Sequence, residues 1–222
     1  MPETPNDFYK RARAVANQDG RLPIPMYVAM QSFPYEGDFQ VKPLHEPMVP
    51  EPPRQGASGS DDCYRCQHPD DGVIWSDDHW LLATQEEPSG LPVAIMVQPR
   101  EHLDSADLDD DRAAEMGRLL VHLQRAIEAI DGVARAHIAK WGDGHAHLFV
   151  FVYARPEGFA QLRGATLTLW EDILPPLPQG LWQLNHKAVA DALAASYGGT
   201  VRIHATAPDT SGLSDRLSRG NA

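Results

Sequence analysis

Residues 142–153 constrain the fold of this chain more than any other stretch. They run from a glycine-containing loop into a segment whose side chains alternate, and a period of two is typical of a β-strand. We therefore predict a strand over residues 145–154. One face of that strand carries His145, His147, Phe149, Phe151 and Tyr153. The two imidazoles would then lie about 7 Å apart along the strand, close enough to serve one site.

The surrounding elements predict an α+β fold with an antiparallel sheet. A helix over residues 109–130 is indicated by apolar residues at spacings of three and four, an acidic first turn and Gly132 just past its end. Strands are predicted at residues 72–76, 80–84, 92–97, 133–140 and 145–154, and the last two form an antiparallel hairpin. The long helix is expected to pack on one face of this sheet. A short strand at residues 166–170 and a helix from Asn185 to residue 196 are predicted further on.

The two cysteines of the chain form a Cys-x-x-Cys pair, Cys63 and Cys66. We see no signal peptide at the start of the chain, so this spacing predicts a metal or redox site before a disulfide. Thiolates and neutral imidazoles are the ligands that zinc prefers in a closed tetrahedral site. Together with His102 and His145, the two cysteines would complete such a site.

These motifs, taken in order, resemble the histidine triad (HIT) superfamily, including its galactose-1-phosphate uridylyltransferase branch. The resemblance covers residues 61–155 and consists of Cys-x-x-Cys, a strand with a central tryptophan (Trp80), a strand ending in Pro-basic-x-His at His102, a long helix, and His-x-His. It implies that zinc is held by Cys63, Cys66, His102 and His145. It also implies that His147 is the nucleophile that takes up a nucleotidyl group. Lys140, Gly142, Gly144 and Arg155 are the candidate phosphate-binding residues beside it.

The chain departs from the family pattern at Phe149, where relatives have a third histidine or a glutamine. A phenyl ring cannot donate a hydrogen bond to a phosphate oxygen. A second register stays open, in which Asp143, His145 and His147 are the triad positions and His145 is the nucleophile.

Two functions therefore remain open. One is a nucleotidyl hydrolase or nucleotidyltransferase that acts through a covalent histidine intermediate on a phosphorylated nucleotide substrate. The other is a catalytically degenerate HIT-like protein, stabilised by zinc, that serves in ligand binding or subunit assembly. A third reading, a catalytic metal held by His145, His147 and another histidine, leaves the cysteines without a role.

The chain is expected to have three parts. Residues 1–60 contain a helix from residue 5 to residue 17 and then a proline-rich arm, because proline at that density disfavours both helices and central strands. Apolar residues in the arm suggest that it packs on the core or on a second copy of the chain. Residues 61–204 form the HIT-like domain, and residues 205–222 form a polar, mobile tail.

Charge and hydropathy exclude several classes of partner. A net charge of -12 argues against general nucleic-acid binding, which depends on clustered Lys and Arg. The longest apolar run is far shorter than the roughly 20 residues that cross a bilayer, so no membrane span is expected. We expect a cytoplasmic protein that binds zinc and a small nucleotide or phosphorylated molecule and forms a homodimer.

Overall fold

The structure is a computed structural model that describes residues 3–203. It divides into two compact units, one up to Pro53 and one from Arg54 onward, whereas the sequence placed the boundary after Ser60. The tail predicted at residues 205–222 lies outside the described residues.

The first unit begins with helix α1, Pro5–Ala14, which the Thr4 hydroxyl caps by accepting a hydrogen bond from the Asp7 amide. The proline-rich chain that follows makes one short 3-10 turn, Met26–Ala29. Phe33 lies at the centre of an aromatic cluster in this unit, with its ring 5.5–5.9 Å from its neighbours. Those neighbours are Tyr27, Tyr35 and Phe39. Part of the apolar content of the arm is therefore used within the unit itself.

The second unit is built on a six-stranded antiparallel sheet, which confirms the predicted fold class. In chain order it contains β1 (Val73–Ser76), β2 (Trp80–Thr84), β3 (Ala94–Pro99), β4 (Val133–Ala139), β5 (Val150–Pro156) and β6 (Thr200–Val201). The strand order across the sheet is β4-β5-β3-β2-β1-β6. β4 and β5 pair antiparallel, from Val133 opposite Pro156 to Ala139 opposite Phe151, as the hairpin prediction requires.

Two long helices cover one face of this sheet. The unit has a single-turn helix α2 (Tyr64–Gln67), a long α3 (Asp110–Glu128), a short α4 (Leu167–Glu171) and a long α5 (Gln179–Ser196). Leu119, Leu123 and Ile127 of α3 are almost fully buried in the main core. Strand residues such as Val97 and Val152 complete that core from the sheet side.

The opposite face of the sheet is covered only in part. A second, smaller cluster contains Leu91, Tyr153 and Leu167 and packs beneath α4. Outside this cluster, Met96 of β3 lies opposite Phe151 of β5, and both residues line a concave surface. This open part of the sheet is where the ligand cavity described below lies.

Three local predictions were wrong or displaced. β5 begins at Val150, so residues 145–149 lie outside the regular ladder. Residues 166–170 form the end of a 3-10 turn and then α4, because the Thr166 hydroxyl donates a hydrogen bond to the Arg163 carbonyl and stabilises a turn. The helix predicted from Asn185 begins at Gln179, six residues earlier in the numbering.

None of the helices in residues 3–203 is long and apolar enough to cross a membrane.

Candidate metal centre and adjoining cavity

Four side chains from three separate segments form a cluster that can hold a metal ion. Cys63 and Cys66 flank and contribute to α2, His102 follows β3, and His147 precedes β5. The candidate ligand atoms all lie within 4.8 Å of one another. Cys63 and His147 are buried, each with 4% of its surface exposed, and the other two are partly buried.

Both imidazoles present the same nitrogen to the thiols. Nδ1 of His147 lies 3.4 Å from Cys63 Sγ, and Nδ1 of His102 lies 3.4 Å from Cys66 Sγ. Each Nε2 lies 3.0 Å from a backbone carbonyl, that of Pro99 for His147 and that of Gly56 for His102. These carbonyls can only accept, so each ring carries its proton on Nε2 and its lone pair on Nδ1. This is the second-shell arrangement that orients histidine ligands at metal sites.

The separations fit zinc. Two thiolates and two imidazoles around a tetrahedral zinc ion have sulfur and nitrogen atoms about 3.6 Å apart, given bonds of about 2.3 and 2.0–2.1 Å. The corresponding distances here are 3.4, 3.4 and 3.7 Å, the last between Cys66 Sγ and His147 Nδ1. The residues therefore match the ligand set and spacing of a structural zinc site.

Burial sets the electrostatics of the cluster. Burial and the neighbouring Cys63 thiol raise the pKa of Cys66 to about 11, and burial lowers the pKa of His147. Both shifts favour neutral side chains. A divalent cation reverses this preference for the thiols, because it stabilises the thiolate directly and displaces its proton.

The structure differs from the sequence prediction in which histidine joins the cysteines. His147 lies in the cluster, and His145 lies outside it with an exposed side chain. The physical reason is that residues 145–149 follow a different partner from the rest of β5. His145 forms an isolated bridge with Gln55, where the Gln55 amide donates to the Gly144 carbonyl and the Ala146 amide donates to the Gln55 carbonyl.

Arg54 holds this irregular segment in place. Its Nη1 donates to the Gly142 and His145 carbonyls at 2.9 and 3.2 Å and lies 2.6 Å from a carboxylate oxygen of Asp104. Lys140 lies 3.7 Å from the same carboxylate. Although burial opposes the shift, hydrogen bonds from the Ser105 amide and Arg54 lower the pKa of Asp104. The carboxylate is therefore ionised at neutral pH and anchors both cations.

A cavity of about 790 Å³ opens beside the metal cluster on the uncovered face of the sheet. Its walls combine aromatic, acidic and hydrogen-bonding groups. They include Phe149, Phe151, Trp182, Gln98, Asp71, Glu86, Arg65, His145 and the cluster residues Cys63 and His147. Gln98 is 7% exposed, and its Oε1 atom is buried without a hydrogen-bond partner among the described residues. A buried acceptor of this kind favours a ligand that donates an N–H or O–H group.

The four predicted phosphate-binding residues are not brought together at this cavity. Lys140, Gly142, Gly144 and Arg155 are absent from its walls. Lys140 faces Asp104, and the carbonyls of both glycines accept hydrogen bonds from Arg54 and Gln55. Of the catalytic and phosphate-binding residues predicted from the sequence, only His147 lines the cavity.

Sequence reasoning missed three residues that shape the site. Gln98 had a signal, since it is the one amide in the otherwise apolar strand β3. Gly56 and Arg54 had none, because the His102 ring beside Gly56 and the Asp104 carboxylate beside Arg54 lie far along the chain. Gly56 has a φ of +80°, and a Cβ there would lie 3.1 Å from the His102 ring and 3.3 Å from Cys63 Cβ. Only glycine therefore fits against the cluster without strain.

The fold and the cluster together define an α+β protein with a Cys2His2 cluster that can hold a metal ion at one end of the sheet. No family model matches the sequence, and no curated protein matches it either. Among solved structures, the chain is similar to a zinc-bound histidine triad family protein from Mycobacterium smegmatis. The identity is 20%, the match covers 62% of this chain and 96% of that one, and the TM-score is 0.46.

Two further similarities have the same character. A Hit-like protein involved in cell-cycle regulation from Bartonella henselae is 14% identical over 58% of this chain and 92% of its own, with a TM-score of 0.43. A hypothetical histidine triad nucleotide-binding protein from Sulfolobus tokodaii is 15% identical over 60% of this chain and 94% of its own, with a TM-score of 0.42. The cluster and the cavity are described from the residues of this chain and not from these similar structures.

Proposed function

We propose that this chain is a zinc-binding protein of the histidine triad type that binds a small heterocyclic ligand and lacks the histidine nucleophile. Zinc, when bound, holds the Cys63–Cys66 turn, His102 and His147 together and stabilises the fold. The observation that carries the proposal is the position of His147. Its Nδ1 faces the two thiols and its Nε2 meets the Pro99 carbonyl, so neither nitrogen is free to attack phosphorus.

The residue two positions after His147 supports the same conclusion. In the HIT pattern the nucleophile follows the metal-binding histidine of the triad by two residues, and in this chain that residue is Phe149. Its side chain has no nucleophilic atom, and its ring packs 5.3 Å from that of Phe151. At this position the cavity wall therefore offers an aromatic ring on which a ligand can stack, whereas a catalytic relative would have its nucleophile there.

The ligand class follows from the chemistry of the cavity walls. Phe149, Phe151 and Trp182 offer flat apolar surfaces, and the unpartnered Gln98 oxygen accepts a hydrogen bond. Asp71 and Glu86 are acidic, and Arg65 is the one arginine on the walls among the residues that the structure describes. This balance favours a neutral heterocycle such as the base of a nucleoside over a polyphosphate.

The test uses zinc-loaded full-length protein and a titration with adenosine, guanosine, uridine and the corresponding monophosphates, followed by calorimetry. The Gln98→Leu variant should weaken binding, because it removes the acceptor that the ligand's donor needs, and Gln161→Leu at an exposed position is the matched control. No turnover of nucleoside phosphoramidates, dinucleoside polyphosphates or nucleotide sugars is expected. Equal affinities for Gln98→Leu and wild type, or no nucleoside binding at all, would contradict the proposal.

One observation favours a second candidate, a nucleotidyl hydrolase or nucleotidyltransferase. The exposed His145 imidazole lines the cavity, with its ring 5.6 Å from that of Phe149. This is the alternative register, in which His145 attacks phosphorus. Turnover of any member of the phosphorylated panel that disappears in His145→Ala while the zinc content stays at wild-type level would establish this candidate and overturn the non-catalytic one.

A further inference from the structure

A second cavity lies against the other side of the metal cluster, and its walls are basic. It has a volume of about 300 Å³ and is lined by Cys66 and His102 on the metal side. Three arginines share the remaining wall with two serines and one carboxylate. They are Arg65, Arg100 and Arg202, with Ser60, Ser76 and Asp70. In a chain of net charge -12, three guanidinium groups around one small cavity are a marked local concentration of positive charge.

Each arginine is held by an uncharged partner. Arg65 Nη1 donates to the backbone carbonyls of His68 and Asp71, both at 3.0 Å. Arg100 Nη1 donates to the Asp77 carbonyl at 3.3 Å. Arg202 Nε donates to the Ser76 hydroxyl at 3.1 Å. Arg100 and Arg202 are exposed, and each of these contacts orients a guanidinium group through one of its nitrogen atoms. A guanidinium has five N–H donors, so further donors of each arginine can face a ligand.

The three arginines form no ion pairs among the described residues, although the Asp70 carboxylate shares the wall of the cavity. Within residues 3–203, none of the three arginines lies within 4.0 Å of a carboxylate oxygen. Moreover, the Arg65 Nε atom is buried and has no hydrogen-bond partner in that part of the chain. A buried donor without a partner is costly, so an acceptor brought by a ligand would be stabilising.

The three arginines come from distant parts of the chain. Arg65 lies between the two cysteines, Arg100 follows β3 just before His102, and Arg202 follows β6. Their convergence depends on the sheet and on the metal cluster, not on local sequence. A ligand at this point would contact three segments that meet beside the candidate zinc.

We infer that this cavity is a binding site for a tetrahedral oxyanion, namely phosphate, either free or as the phosphate group of a small monoester. Guanidinium groups bind carboxylates and phosphates through paired N–H donors. A carboxylate offers two oxygens in one plane, whereas a phosphate offers three or more in several directions. Three arginines approaching from three segments match the second geometry. The site is separate from the cavity of about 790 Å³ beside Phe149, since Arg65 is the only one of the three arginines that lines both cavities.

The test titrates zinc-loaded full-length protein with inorganic phosphate, glycerol 3-phosphate and acetate at constant ionic strength, with calorimetric detection. The variants are Arg100→Gln and Arg202→Gln, and the control is Arg125→Gln, which removes the same charge from an exposed position on α3. Each cavity variant should weaken phosphate binding about tenfold or more, because one charge-assisted hydrogen-bonding group is lost. The control should bind phosphate as wild type does.

Further measurements separate the outcomes. Zinc content and circular dichroism establish that each variant is folded, and Arg100→Lys, which keeps the charge but not the paired donors, should give an intermediate affinity. Tighter binding of glycerol 3-phosphate than of inorganic phosphate would identify a monoester as the ligand, and the reverse would identify free phosphate. Absence of binding at millimolar phosphate, affinity for acetate equal to that for phosphate, or cavity variants that match Arg125→Gln would each overturn the inference.

Discussion

The identity of the fourth zinc ligand can be decided by comparing His147→Ala with His145→Ala. Removal of a group that merely hydrogen-bonds to a metal ligand lowers metal affinity about 10- to 100-fold. Loss of the ligand itself should exceed this, so we expect His147→Ala to lower zinc affinity by at least about 100-fold, or about 2.8 kcal/mol. The empty space left by a side chain that is 4% exposed beside the core residue Leu148 adds to the destabilisation.

His145→Ala is the matched comparison, because the two histidines are two residues apart and only one of them lies in the cluster. The His145 side chain is exposed, so its loss should change the stability by no more than about 0.5 kcal/mol. The assay is zinc per chain by elemental analysis, a competition titration with a chromophoric chelator, and thermal unfolding. Zinc loss in His145→Ala with wild-type zinc affinity in His147→Ala would refute the ligand assignment and restore the one predicted from the sequence.

Three further predictions use other parts of the structure. Gly56→Ala should lower zinc affinity and thermal stability, because a Cβ at φ +80° meets the His102 ring at 3.1 Å. The same change at the unobstructed Gly117 should leave zinc affinity unaltered. Equal zinc affinities of the Gly56→Ala and Gly117→Ala variants would contradict this. Gln98→Leu should leave the unfolding free energy unchanged or raised, since a buried acceptor without a partner is removed, and a loss of more than about 1 kcal/mol in urea unfolding would show that this oxygen has a partner. Stability should fall as the pH drops below about 6.5, because burial lowers the pKa of His186 in the folded chain and the unfolded chain therefore binds more protons in that range. The His186→Gln variant should show a shallower decrease of stability with falling pH. An unchanged slope would refute His186 as the origin.

The sequence predicted most of the fold because its signals there are local. The helix near residues 109–130 and the strands around Trp80 and Met96 follow from periodicity and from caps within a few residues. The set of metal-binding residue types followed from Cys-x-x-Cys and the spaced histidines. In each case the information lies within one short segment or in the order of segments.

The choice between the two histidines was not available from the sequence, because it depends on a non-local contact. Alternation continues through residues 145–154, so the pattern predicts an unbroken strand. In the structure Gln55 takes over the backbone pairing at His145, and Arg54 binds the carbonyls of the same loop. No local sequence pattern near residue 54 or residue 145 predicts this pairing.

The reach of the metal cluster along the chain bears on how this protein would lose its structure. Cys63 and His147 are 84 positions apart, and Cys66 and His102 are 36 apart. A cross-link that closes a loop of that larger size restricts the unfolded chain by about 4–5 kcal/mol in the chain-entropy model. The main core beneath α3 and α5 contains none of the four ligands. Chelation should therefore release the cysteine turn, the end of β3 and the segment before β5 together, and hydrogen exchange should record one cooperative opening while the amides of α3 remain protected.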